Sequence, residues 1–274
     1  MLKFLKIHIA SPYKHRATAY VYFALRLLVI PIIIRAIFRM DFESLFLCSL
    51  TLLLFLLPSI LSRRLKVDFP TVLEIIILLF IFSAEILGEL NSFYIRIPHW
   101  DTMLHTMNGF LCAAVGFALV DLLNRDEHFS LKLAPGYIAL VAFCFSMTIG
   151  VTWEFFEYSM DRFYSHDMQK DTVVRTINSV YLNESGLNRV VTIEDIDDVI
   201  IVHSDGSTEA LGVGGYLDIG IHDTMKDLFV NFIGAIVFSL FGYFYVKDQG
   251  KGIASLFIPR IQQEEDFVQD FDEE

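Results

Sequence analysis

The sequence predicts an all-α membrane protein: a six-helix transmembrane bundle with a small extracytoplasmic β-hairpin insertion. Three observations carry that expectation. Mean hydropathy is +0.52. Of the residues 54% are hydrophobic and 26 are Phe, more apolar surface than a soluble domain of 274 residues hides. The apolar residues fall into six runs, each near the ~20 residues that a helix needs to cross hydrocarbon.

Spans are expected near Ala17–Phe38, Phe42–Leu61, Thr71–Leu90, Met103–Leu123, Leu133–Glu154 and Met225–Tyr245. The first run is too long for a secretory leader, and no small-residue cleavage site follows it. Helices one to five then occupy 1–160, the insertion 161–222, helix six 223–247 and an acidic cytoplasmic tail 248–274. Lys3, Lys6, Lys14 and Arg16 precede the first run, and Arg63, Arg64 and Lys66 follow the second. Arg125 and Lys132 follow the fourth, and Lys247, Lys251 and Arg260 follow the sixth. The opposite short loops hold only Arg35, Arg39 and Arg96. By the positive-inside rule the chain is an inner-membrane, multi-pass protein with both termini cytoplasmic.

The insertion alternates like strands at Val190–Ile196, Val199–Val202 and Thr208–Val213, with Ser204-Asp205-Gly206 as the turn of a hairpin. Gly212, Gly214, Gly215 and Gly220 lead back to the last span, as a loop folding over a site or as a plain linker. The formal charge of −12 is concentrated in this region and in the tail, which excludes nucleic acid as a partner. Cys48, Cys112 and Cys144 lie inside apolar runs without metal-ligand spacing and read as buried small hydrophobes.

Ionisable groups cost about 2.5–3.5 kcal/mol each at the bilayer centre, so a set of them at helix ends points to a site. The sets are Glu85 with Glu89, Asp101 with His105, Glu154 with Glu157, and Asp223 with Asp227 and Asn231. The orientation above puts all four on the extracytoplasmic side. Spacings of three and four residues put each set on one helical face. At about 1.5 Å per residue, Asp223 to Asn231 covers about 12 Å of depth.

Asp101, His105, Glu154, Glu157, Asp223 and Asp227 are the candidate metal ligands, and His105, Glu154 and Asp227 the candidate catalytic groups. Glu85, Glu89, Asp171 and Asn231 stand behind them, and Asp167 and Lys170 lie in the same acidic run as Asp171. Oxygen-rich ligands favour a hard divalent cation, Mg²⁺ or Mn²⁺, over Zn²⁺. Lys226 lies off the shared face and can neutralise a neighbour, and Arg26, in the middle of the first span, needs a counter-charge. Glu154 and Glu157 equally suit an interfacial belt with Trp153, Phe155, Phe156 and Tyr158.

The combination Asp101, His105, Glu154, Glu157 and Asp223-Thr224, then Asp227-Leu228, Asn231 and Gly234-Ala235, resembles the YjdF-like inner-membrane proteins and, more distantly, the VanZ-like proteins. Two departures from the latter are Thr102, where they carry Lys, and the longer insertion. The resemblance implies a multi-pass bacterial membrane protein of undefined biochemistry, with a remote VanZ-type tie to glycopeptide susceptibility.

Three functional classes follow. One is an enzyme that uses a bound cation to hydrolyse an envelope or lipid-linked substrate; the motifs of known metalloproteases, of Ser/His/Asp hydrolases and of di-iron bundles are missing. Another is binding or transport of a cation or small ligand, and the third is a structural or sensory envelope protein working through its β insertion.

Overall fold

The computed structural model describes residues 13, 15–65, 67–125, 133–248, 250–251 and 253–261. Lys3, Lys6, Lys14, Lys66, Lys132 and the acidic end of the tail lie outside the described residues. Among the described residues, six helical stretches are long and apolar enough to cross a membrane: Arg16–Arg39, Phe42–Arg64, Thr71–Leu90, Trp100–Asp121, Pro135–Tyr164 and Ile221–Lys247. The chain is a multi-pass, mostly helical membrane protein with small antiparallel strand pairs. It divides into two compact units, Met1–Gly150 with Val230–Glu274, and Val151–Phe229.

In the larger unit, α1 (Arg16–Arg39) stops at Met40, whose left-handed backbone (φ 54°) returns its N–H to the Ala36 and Ile37 carbonyls. Asp41 then caps α2 (Phe42–Leu54), accepting from the Ser44 N–H at 3.1 Å and the Ser44 hydroxyl at 2.7 Å. These bonds, the hydroxyl's first, hold the Asp41 carboxyl below the usual carboxylate range.

The second span is broken, where the sequence predicts one helix. Pro58 lacks the N–H that would reach back to Leu54 and its ring crowds that carbonyl, so α2 ends there and α3 (Leu57–Leu65) starts afresh. Next to the break, the Phe55 carbonyl takes the Tyr13 hydroxyl at 2.5 Å.

The third span changes winding midway. α4 (Thr71–Phe82) passes into a π-helix over Ser83–Leu90, which ends with the Asn91 N–H on the Ile86 carbonyl, five residues back. The Ser83 carbonyl accepts the Trp100 indole N–H at 3.3 Å. After the short α5 (Phe93–Arg96), α6 (Trp100–Arg125) begins at that tryptophan.

The first halves of α7 (Pro135–Tyr164) and the later part of α8 (Ile221–Lys247) complete this unit. Its first apolar core joins Leu111, Ala114, Phe117, Ile138, Ala142, Phe238 and Tyr245. Tyr22, Leu25, Val29, Cys48, Phe55, Leu78 and Ile86 form the second. Strand β1 (Val67–Asp68) pairs with the C-terminal strand Arg260–Ile261. Cys48 is buried as expected, but Cys112 is only half-buried and Cys144 is exposed.

Between α7 and α8 the smaller unit holds six short strands in three antiparallel pairs. β2 (Val173–Val174) pairs with β7 (Tyr216–Leu217), β3 (Ile177–Ser179) with β4 (Val191–Ile193), and β5 (Ile200–Val202) with β6 (Thr208–Ala210). The expected hairpin turn is present, with Gly206 at φ 86°. The α7 helix runs ten residues past the expected end of its span, so Glu154 and Glu157 stand inside it and not at its tip.

Candidate functional site

Helix packing in lipid gains little from burying apolar side chains, because lipid tails are equally apolar; close contact and interhelical hydrogen bonds decide it. In the larger unit these converge on Asn231. The Asn108 amide donates to the Asn231 side-chain oxygen at 3.1 Å, and the Asn231 amide points at the Met147 sulfur at 3.7 Å. Glycines permit the approach. A Cβ on Gly109 would strike the Asn231 carbonyl, one on Gly234 the Thr106 carbonyl, and one on Gly150 the Asn231 amide. The Ser146 hydroxyl closes the knot by donating to the Gly109 carbonyl at 2.7 Å.

In the same unit, Asp101 Oδ1 stands 3.4 Å from His105 Nε2, one turn apart on α6. His105 is 9% exposed. Glu85 and Glu89 both lie on the π-helix, Glu85 half-buried and Glu89 exposed. Arg26 pairs with no carboxylate among the described residues: its guanidinium donates to the Tyr22 hydroxyl at 2.9 Å and lies over that ring.

In the smaller unit the acidic set is buried. Glu154 is 5% exposed, Glu157 8%, Asp223 9% and Asp227 1%. Glu154 and Glu157 each bring a carboxylate oxygen within 4.8 Å of the other. Trp153 donates its indole N–H to Glu157 at 2.8 Å. Lys226 is closer to the acids than its position off their face suggests: its ammonium contacts Asp223 Oδ1 at 2.5 Å and Asp227 Oδ1 at 3.5 Å.

The turn after α7 is wired to the start of α8 by backbone donors, a feature that sequence patterning missed. Asp161 accepts from the Met168 and Gln169 N–H groups at 2.6 and 2.8 Å. Asp223 accepts from the Lys170 N–H at 2.9 Å, and the Gln169 amide meets the Thr224 hydroxyl at 2.5 Å. Asp218 accepts from Thr172, Gly220 and His222 N–H groups at 2.7, 3.2 and 2.8 Å. Burial would raise the Asp218 pKa, but the Thr172 and His222 N–H groups, the His222 ring and the Gly220 N–H together outweigh it and bring it down to about 2. Asp171, exposed in the same turn, is pushed up by desolvation and then by the charges of Asp167, Asp218 and Asp161. It stands among these acids; Lys170 meanwhile reaches Asp167 at 3.3 Å.

Chemically, the buried carboxylates offer hard oxygen ligands and His105 a nitrogen. The Asp-x-Gly turn at 218–220 was the one available sequence signal for the wired loop.

No curated protein and no solved structure matches this chain. The likeness to VanZ-like proteins finds no support, whereas the YjdF-like resemblance is of the same family type as the match that does exist. A family model described as "Predicted membrane protein (DUF2238)" matches residues 19–248, most of the chain, and the protein belongs to that family.

Proposed function

We propose that this is an inner-membrane protein with cytoplasmic termini, whose extracytoplasmic polar groups bind a divalent cation used to hydrolyse an envelope or lipid-linked substrate. One observation carries the reading: His105, Glu154, Glu157, Asp223 and Asp227 are each 9% exposed or less, on helices otherwise made for lipid. Carboxylates held that deep are costly unless a cation or proton accompanies them.

Asp101, His105, Glu154, Glu157, Asp223 and Asp227 are the proposed ligands, with Glu85, Glu89, Asp171 and Asn231 supporting them. The predominance of oxygen favours Mg²⁺ or Mn²⁺, and a bound ion of this kind supplies a Lewis acid for water. A carboxylate left outside the coordination sphere, Glu154 or Asp227, or the imidazole of His105, would accept the proton of that water.

A binding or transport role is favoured by the Lys226 contacts: an ammonium already beside Asp223 and Asp227 is a tethered cation that an arriving one can displace. Asp227→Asn separates the classes. A hydrolase loses headgroup or phosphate release from lipid-linked substrates while the protein stays in the membrane. A transporter loses cation flux into proteoliposomes. Absence of both activities from the parent protein, with cellular function that tolerates Asp227→Asn and fails when 190–213 is deleted, overturns both readings in favour of a scaffold.

A further inference from the structure

The β5–β6 hairpin pairs Ile200 with Ala210, Ile201 with Glu209 and Val202 with Thr208. Alternation therefore gathers Ile200, Val202, Thr208 and Ala210 on one face, and Ile201 with Glu209 on the other. Ile200 is 67% exposed and Val202 70%. No third strand adds to the pair among the described residues, and a lone two-stranded ribbon is marginal in water.

The ribbon is nonetheless closed by its own local bonds. His203 N–H reaches the Ser207 carbonyl at 2.8 Å, and Leu211 N–H the Val199 carbonyl at 2.8 Å. Asp198 accepts from the Val199 and Gly212 N–H groups, both at 2.8 Å. The shape is fixed while its apolar face and its edges stay uncovered.

Charge decides what covers it. Glu194, Asp195, Asp197 and Asp198 lead into the hairpin, Asp205 sits in its turn and Glu209 on its other face, all exposed, and no Lys or Arg occurs between Arg189 and Lys226. An anionic leaflet is repelled by such a rim, and a second copy would set like charge against like. What fits is the opposite charge on an extended backbone. A strand added beside β6 would lay apolar side chains next to Thr208 and Ala210 and a basic one opposite Glu209.

We propose that the β5–β6 hairpin is the docking surface for a protein partner presenting an extended segment of alternating apolar and basic residues.

The test uses the full chain in detergent and a fluorescent peptide alternating Val and Lys, with an alternating Val and Glu peptide as control. The Val/Lys peptide is expected to bind saturably and at least about tenfold more tightly than the control, a difference of about 1.4 kcal/mol. Glu209→Lys and, separately, Ile200→Ser with Val202→Ser are each expected to weaken it by about tenfold. Hydrogen exchange at the Thr208 and Ala210 amides is expected to slow when the peptide binds, a readout that needs no variant to fold. Equal binding of both peptides, no protection at those amides, hairpin-dependent self-association, or preferential capture by phosphatidylglycerol vesicles overturns the proposal.

Discussion

Asn108 and Asn231 meet side chain to side chain at 3.1 Å across 123 positions of sequence, on helices brought together by glycine. The contact fixes the angular setting of α6 and α8 around a polar pair that lipid cannot satisfy.

Removing the room that glycine leaves is expected to be more damaging than removing the amide. Gly109→Val or Gly234→Val forces a branched side chain onto a backbone carbonyl and should cost about 1–3 kcal/mol or more. Asn108→Ala should cost about 0.6–2 kcal/mol, the range for interhelical hydrogen bonds in membranes. Gly136→Ala, where a Cβ meets nothing within 4 Å, is the neutral control. Denaturant unfolding in mixed micelles ranks the four.

Ile219 holds a left-handed backbone at φ 59° between Asp218 and Gly220. A β-branched residue is poorly suited to that region, so Ile219→Gly should relieve about 1 kcal/mol of strain. Slower hydrogen exchange at His222 and Asp223 N–H groups would show it; faster exchange would contradict it.

Asp218 sets an acid limit for the loop. Its pKa, about 2 when folded, lies below the ordinary value of about 3.9. The charged form therefore stabilises the fold above about pH 4, and that stabilisation is lost as pH falls toward 2. Proteolysis of 165–172 should accelerate over that window in the parent protein, and Asp218→Asn should cleave readily at all pH values. Asp171 works in reverse: its raised pKa makes the charge unfavourable at neutral pH, and protonation on acidification relieves it. Asp171→Asn should slow neutral-pH cleavage of the loop.

Lys226→Gln removes the ammonium from Asp223 and Asp227. With no tethered cation to displace, Mn²⁺ affinity should rise by about tenfold, a change of about 1.4 kcal/mol, read as the midpoint of a thermal-shift titration. An unchanged midpoint would place the ion elsewhere.

The six spans were legible because apolar length is a strong signal. Hydropathy reports membrane depth, though, not where a helix stops. It therefore ended the fifth span at Glu154, whereas hydrogen bonding carries α7 on to Tyr164. Pro58 marked the break in the second span plainly, but an unbroken apolar run on both sides masked it. The π-helix at Ser83–Leu90 has no local signature, since its i→i+5 bonds depend on partners such as the Trp100 indole. Of the candidate groups, i,i+4 spacing located the Asp101–His105 pair. The same spacing joins Asp218 to His222, but the bonds of Asp161 to Met168 and Gln169, of Gln169 to Thr224 and of Asp218 to Thr172 span seven to 55 residues and could not be read that way, and pairs such as Val173 with Leu217 are long-range.

Metal content of the purified protein after growth with Mn²⁺ and removal of loosely held ions tests cation binding most directly. The parent protein is predicted to retain near-stoichiometric metal, and His105→Ala and Asp223→Ala, each folded by circular dichroism, to lose it. Metal-free parent protein, or equal metal in parent and both variants, would contradict the account.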